Sequence, residues 1–109
     1  MRISHLILLA LLALPSLAVA EDLPEQKLTI KNHVFTPSTL TIPHGQKVKL
    51  IITNNDDAAA EFESYDMHRE KIIPAHDSVT VFVGPLDAGS YPFFDDFHRD
   101  TTTGTLIVQ

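Results

Sequence analysis

From Leu28 onward the apolar residues recur with a period of two. Leu28 and Ile30 alternate with Lys27, Thr29 and Lys31, and Leu40 and Ile42 with Thr39 and Thr41. Val48, Leu50 and Ile52 alternate with Lys47, Lys49 and Ile51, and Val79, Val81 and Val83 with Ser78, Thr80 and Phe82. Such a period turns one side chain in two to the same face, which is a strand with one buried side. Past Ala20 no stretch carries a sustained apolar stripe at helical spacing. Turn residues punctuate the runs: Thr36-Pro37-Ser38, Pro43-His44-Gly45, Asn54 to Asp57, Pro74 to Asp77, and Gly84-Pro85 through Gly89. A strand around Phe62 and a closing strand over Gly104 to Val108 complete the series. Short strands at regular spacing predict an all-β sandwich, folded as a single domain. The polar segment Ser64 to Lys71 shows no period and is expected to be an ordered loop or a single helical turn.

The first 20 residues read differently. Arg2 precedes an apolar run from Leu6 through Leu14, and Ala18-Val19-Ala20 is a small-x-small cleavage site before Glu21-Asp22. The run is too short for a membrane span of roughly 20 residues and has an acidic flank. Met1 to Ala20 is therefore expected to be a secretory signal peptide, and residues 21–109 the folded domain. Without Arg2 the formal charge goes from −6 to −7, because all 14 acidic residues lie beyond the signal. That balance speaks against nucleic acid and for a cationic ligand or partner. The absence of cysteine removes thiol catalysis, zinc-thiolate sites and cysteine-held iron–sulfur clusters. No glycine-rich phosphate loop and no His-Glu-x-x-His pair occurs, and Ser64, Ser78 and Ser90 have no histidine in a matching context.

Chemistry concentrates in Gly89 to His98, a strand of alternating aromatics that ends in Asp95, Asp96 and His98. Two carboxylates and an imidazole where a strand gives way to a loop suit a metal ion. An acidic turn capping nearby N–H groups is the plainer alternative.

The chain resembles the cupredoxins. The residues that carry the resemblance are Asn32-His33-Val34-Phe35-Thr36-Pro37, Gly45 before Val48 to Asp56, and Gly89-Ser90-Tyr91-Pro92-Phe93. It looks most like the periplasmic branch that accompanies bacterial iron permeases, through Glu61 to Ser64, Arg69-Glu70-Lys71 and Phe93 to His98. The resemblance implies a Greek-key β-sandwich with a metal seat at one end. A blue-copper seat takes two histidines, a cysteine thiolate and a weak axial methionine. On that pattern the first histidine falls on Ala60, the cysteine on Asp95 and the methionine on Thr102, while His98 is kept. Blue-copper electron transfer is accordingly not implied for this chain.

The same layout puts Glu61 and Glu63 on the strand that would supply the first histidine, roughly 6.5 Å apart on one face. His33 lies at a turn bordering the same end. The candidate ligands are thus His33, Glu61, Glu63, Asp95, Asp96 and His98. Against this, Ala60 and Phe62 have the parity of the core, so both glutamates point to the other face, where they can be solvated or paired with Arg69 and Lys71, with Glu63–Arg69 the most direct pair. Met67 and His68 form a loop donor pair of the kind cuprous copper prefers, and His44 and His76 read as surface turn residues. Oxygen and nitrogen donors without thiolate suit iron, manganese, zinc or cupric copper.

The expected function is a periplasmic metal-binding protein of an iron import system. It would take ferrous iron and pass it to a membrane iron permease or another periplasmic subunit. Copper-assisted oxidation is left open, since an electron acceptor is needed and the chain offers none. Two alternatives stand beside it: a non-blue copper protein, and a docking module without metal. Two copies could share an ion between their acidic ends, so a homodimer is one expected arrangement.

Overall fold

The computed structural model describes residues 22–109; the signal peptide expected over Met1 to Ala20 lies outside the described residues. Nine strands are present among them: β1 Glu25–Lys31, β2 Val34–Thr36, β3 Thr39–Ile42, β4 Val48–Asn54, β5 Ala60–Ser64, β6 Arg69–Ile73, β7 Ser78–Val83, β8 Gly89–Asp95 and β9 Thr103–Val108. They form two sheets, ordered β2-β1-β4-β7 and β3-β9-β8-β5-β6. β1 lies parallel to β4, and β3 parallel to β9; the other pairs are antiparallel. Between β1 and β4 the chain passes through the other sheet as β3, and between β3 and β9 it visits both sheets, so the two sheets are interleaved along the chain.

The period of two is what fills the space between them. Leu28, Ile30, Leu50, Ile52, Val81 and Val83 are buried from one sheet, and Leu40, Ile42, Phe62, Ile73, Phe93, Leu106 and Val108 from the other. Each fully buried side chain of this size contributes about 1.5–3 kcal/mol by leaving water. Phe93 is the centre of the aromatic packing, edge-on to Phe35 at 5.0 Å between ring centroids and tilted against Phe62 at 5.2 Å.

The segment Ser64 to Lys71 departs from expectation. It is a β-hairpin, with a tight turn over Tyr65 to His68 between β5 and β6. The Ser64 hydroxyl donates to the Pro92 carbonyl at 2.8 Å and accepts from the Met67 N–H at 3.3 Å, which ties the turn to β8. Met67 is buried in the core, so its thioether is not an exposed donor beside His68. The Glu63–Arg69 ion pair does not form. Arg69 donates instead to the carbonyls of Phe82 and His68, and Glu63 stands directly across from Glu70.

Candidate metal centre

Three loops meet at one end of the sandwich. The first is the two-residue turn Asn32-His33 between β1 and β2, whose residues have φ of 52° and 57°. Positive φ at both central positions is the twist that suits a two-residue hairpin, and asparagine tolerates it well. Asp56, from the loop after β4, accepts the N–H groups of Asn32 at 2.6 Å and His33 at 2.9 Å. The His33 hydrogen bond is the main cause that holds the Asp56 carboxyl below its ordinary range, against the opposing effect of burial. The His33 carbonyl accepts from the Thr102 hydroxyl at 2.6 Å. His33 is therefore fastened at both ends of its peptide, with its side chain 45% exposed.

The second and third elements are the start of β5 and the loop after β8. Asp95 is the last residue of β8 and only 1% exposed. Its Oδ1 accepts the N–H groups of Glu61 at 2.9 Å and Phe97 at 3.0 Å, and its Oδ2 lies 2.9 Å from His98 Nδ1. The loop then curls back, with the Thr101 and Thr102 N–H groups donating to the His98 carbonyl. The His98 and His33 rings come to 4.0 Å between centroids. As a result His33, Asp95 and His98 offer donor atoms that lie within 4.8 Å of one another. Val34 and Phe97, both more than half exposed, flank the two imidazoles in sequence.

The model of the family described as the cupredoxin-like domain matches residues 4–108. The chain belongs to the cupredoxin-like family. An uncharacterized protein of Rickettsia prowazekii (strain Madrid E) is 47% identical over 89 residues, spanning 82% of this chain and 71% of that protein. Among solved structures the fold is similar to auracyanin A, a blue copper protein of Chloroflexus aurantiacus. The TM-score there is 0.67 at 15% identity, over 78% of this chain and 98% of the other. It is also similar to the metal-binding domain of a Cu(I)-exporting P-type ATPase of Streptococcus pneumoniae D39 with Cu(I). There the TM-score is 0.68 at 10% identity, over 78% and 84% of the two chains.

In this cupredoxin-like domain the six candidate ligands do not form one cluster. His33, Asp95 and His98 converge; the other three do not join them. Asp96 turns to Arg99, whose Nε donates to its Oδ1. Glu61 and Glu63 lie with Glu70 in a separate group of carboxylates. The cause is strand parity. Phe62 of β5 faces the core and pairs with Asp95, so the flanking Glu61 and Glu63 project from the opposite face of the sheet. Only the Glu61 backbone reaches the tip, giving its N–H to Asp95 and accepting the Asp96 N–H at 2.8 Å.

Three residues absent from the candidate set matter here. Thr102 and Asp56 set the position of His33, and Glu70 completes the carboxylate group. Asp56 could have been found from its place in the Asn-Asn-Asp-Asp turn; Glu70 is visible only once β5 and β6 are paired. His44 and His76 are exposed, with His76 Nε2 2.6 Å from Asp57 Oδ1.

The donor set can be weighed against the copper of the fold family. Two imidazoles and one carboxylate fit cupric copper in a tetragonal nitrogen–oxygen environment. They do not fit a blue centre, which takes a cysteine thiolate, since the chain has no cysteine.

Proposed function

We propose that this protein is an exported, non-blue metal carrier that holds cupric copper through His33, Asp95 and His98 and serves an iron import system in the periplasm. The observation that carries the copper reading is the convergence of those three donors at the end of a cupredoxin fold. Similarity in fold to auracyanin A and to a Cu(I)-bound transporter domain supports it. His33, Asp95 and His98, whose backbones are already fixed, would hold the ion, and its positive charge would offset the acidic loop. Asp95 would keep the N–H groups of Glu61 and Phe97 as partners while it and His98 held the ion. The service to iron uptake rests on the resemblance of Glu61 to Ser64 and Phe93 to His98 to the proteins that accompany iron permeases, and on the acidic balance of the chain. A membrane permease or a companion subunit is the corresponding partner, approached through the rim around His33 and His98.

The test of the copper reading is anaerobic titration of the full mature chain with Cu(II), followed by electron paramagnetic resonance. One equivalent should bind with an axial spectrum split by nitrogen ligands, weak visible absorption and no intense blue band. Substitution of both His33 and His98 by Ala should lower the affinity at least about tenfold, a loss of 1.4 kcal/mol or more. Equal binding by the wild type and the double variant overturns this assignment.

A further inference from the structure

The chain is acidic, with a formal charge of −6, yet its lysines gather on one side. In the four-stranded sheet the apolar residues of β1, β4 and β7 fill the core, so the residues between them face outward. The register sets Lys49 between Glu25 and Phe82, Lys27 beside Ile51, and Lys31 beside Val34 on that outer face. Lys47, just before β4, places its Nζ 4.9 Å from the centre of the Phe82 ring and so joins them. Four of the five lysines of the chain therefore share this face, and Glu25 is the one acid in its four strands. Acids outnumber basic residues 14 to 8 in the whole sequence, an excess that this face reverses. Among the described residues Lys49 pairs with Glu25 at 3.6 Å and Lys31 donates to the Asn55 carbonyl, while Lys27 and Lys47 have no carboxylate partner. Such a face holds positive charge in excess of what the fold uses.

We propose that the outer face of the four-stranded sheet docks on an anionic phospholipid bilayer, with Lys27, Lys31, Lys47 and Lys49 among the headgroup phosphates. The lysines are spread out and do not converge on one point: Lys27 and Lys31 alone stand about 13 Å apart along β1. Ammonium groups on flexible stems suit a diffuse field of phosphates, whereas a particular carboxylate is matched by the guanidinium fork. None of the four strands carries arginine. Val34 and Phe82, 53% and 41% exposed, put apolar surface between the charges, where it can enter the headgroup boundary. A symmetric contact with a second copy would set lysine against lysine. The acids elsewhere do not cancel the attraction. Glu61, Glu63 and Glu70 are on the far side of a sandwich whose sheets pack roughly 10 Å apart, beyond the Debye length of about 8 Å at physiological ionic strength. Asp56, Asp57 and Asp77, at the tip end of the face, are taken up by the Asn32-His33 turn, His76 and the Ser78 N–H. Lys31 adjoins that turn, so a docked molecule would hold its histidine tip edgewise at the bilayer surface. This inference does not depend on the copper reading.

The full mature chain should co-sediment, at about 0.15 M salt, with vesicles of phosphatidylglycerol and phosphatidylcholine in equal parts. It should not do so with phosphatidylcholine alone, and salt of about 1 M should release it. Each lysine near an anionic surface contributes about fivefold to the affinity, so Lys27→Gln/Lys47→Gln should bind about 25-fold more weakly. Both side chains are exposed, and thermal unfolding like that of the wild type checks that the fold is kept. If the pair is destabilised, Lys27→Gln alone, expected to be about fivefold weaker, carries the test. Lys71→Gln removes the same charge from β6 of the other sheet and should change binding less than about twofold. The inference is overturned if the mixed vesicles are not bound, if phosphatidylcholine alone is bound equally, or if Lys71→Gln costs as much affinity as Lys27→Gln. It is equally overturned if soluble poly-glutamate is bound more tightly than the vesicles, which would make an acidic polypeptide the partner. Cu(II) titrations keep the two readings apart: the His33→Ala/His98→Ala variant should bind vesicles like the wild type, so a failure of the copper assignment leaves vesicle binding unchanged.

Discussion

Asp95 ties together two otherwise separate pieces of chain. Its carboxylate closes the turn of its own loop through Phe97 N–H and anchors the β5 strand through Glu61 N–H, while orienting the His98 ring. Hydrogen bonds to an ionised acceptor contribute about 1.5–3 kcal/mol each, and a buried donor left without a partner costs about 1–3 kcal/mol. Asp95→Ala removes the acceptor and strands the buried Glu61 N–H, so a destabilisation of about 2–4 kcal/mol is expected. Asp95→Asn keeps one carbonyl oxygen for the same N–H groups and should lose clearly less. Urea denaturation of the metal-free proteins checks the order of the two variants. An equal loss would mean that the side chain's role is its charge alone and not the N–H groups it accepts. Asp56 acts similarly one loop away, where its carboxylate accepts both N–H groups of the Asn32-His33 turn and so fixes the backbone that carries the imidazole.

At the scale of strands, the tip depends on how β8 and β9 approach each other. Phe93 of β8 lies across from Gly104 of β9. A Cβ at position 104 would come within 2.4 Å of the Phe93 ring and 3.0 Å of the Ser38 carbonyl oxygen. The ring cannot retreat, because Phe35 and Phe62 hold it from other sides. Gly104→Ala is therefore expected to destabilise by about 1–3 kcal/mol through overpacking, although alanine is otherwise the smaller risk in a strand. Thermal unfolding of the variant checks this, and a loss in stability below about 0.5 kcal/mol would show that the ring has room to move. The hairpin of β5 and β6 is organised the other way, around its outer face. Four of the five residues of β6 are exposed, and what its pairing sets is the meeting of three carboxylates.

For the molecule as a whole, those carboxylates give the metal-free protein an unusual response to pH. Burial and mutual repulsion raise both the Glu61 and Glu63 carboxyls, Glu61 to about 7. A carboxyl whose folded-state value lies above its unfolded one favours folding when protonated, and that contribution is lost as pH rises through the folded value. The apparent melting temperature of the metal-free chain should thus fall between about pH 5 and pH 8. Below the ordinary carboxylate range the sign reverses for Asp56, whose lowered value contributes stability that disappears on protonation. Glu61→Gln should flatten the upper part of the profile and stabilise the metal-free protein at pH 8. A wild-type profile that is flat from pH 5 to pH 8 would contradict the raised values.

The order and alternation of residues were enough to establish the β-sandwich, because burial on one side of a strand forces a period of two. They also located the tip, since Asp95 and His98 sit three residues apart in one loop and meet through purely local geometry. β6 escaped because an edge strand with four exposed residues carries no alternation to read, and β2 because three residues are too few for a period. Pairing of distant strands decided the rest. The alternation with Ala60 and Phe62 already turned Glu61 and Glu63 to the outer face, but only the hairpin register brought Glu70 to meet them. Which residues share a strand face is written in the chain, but which strands become neighbours is settled by long-range packing, and a ligand set drawn from several strands exists only after that packing is complete.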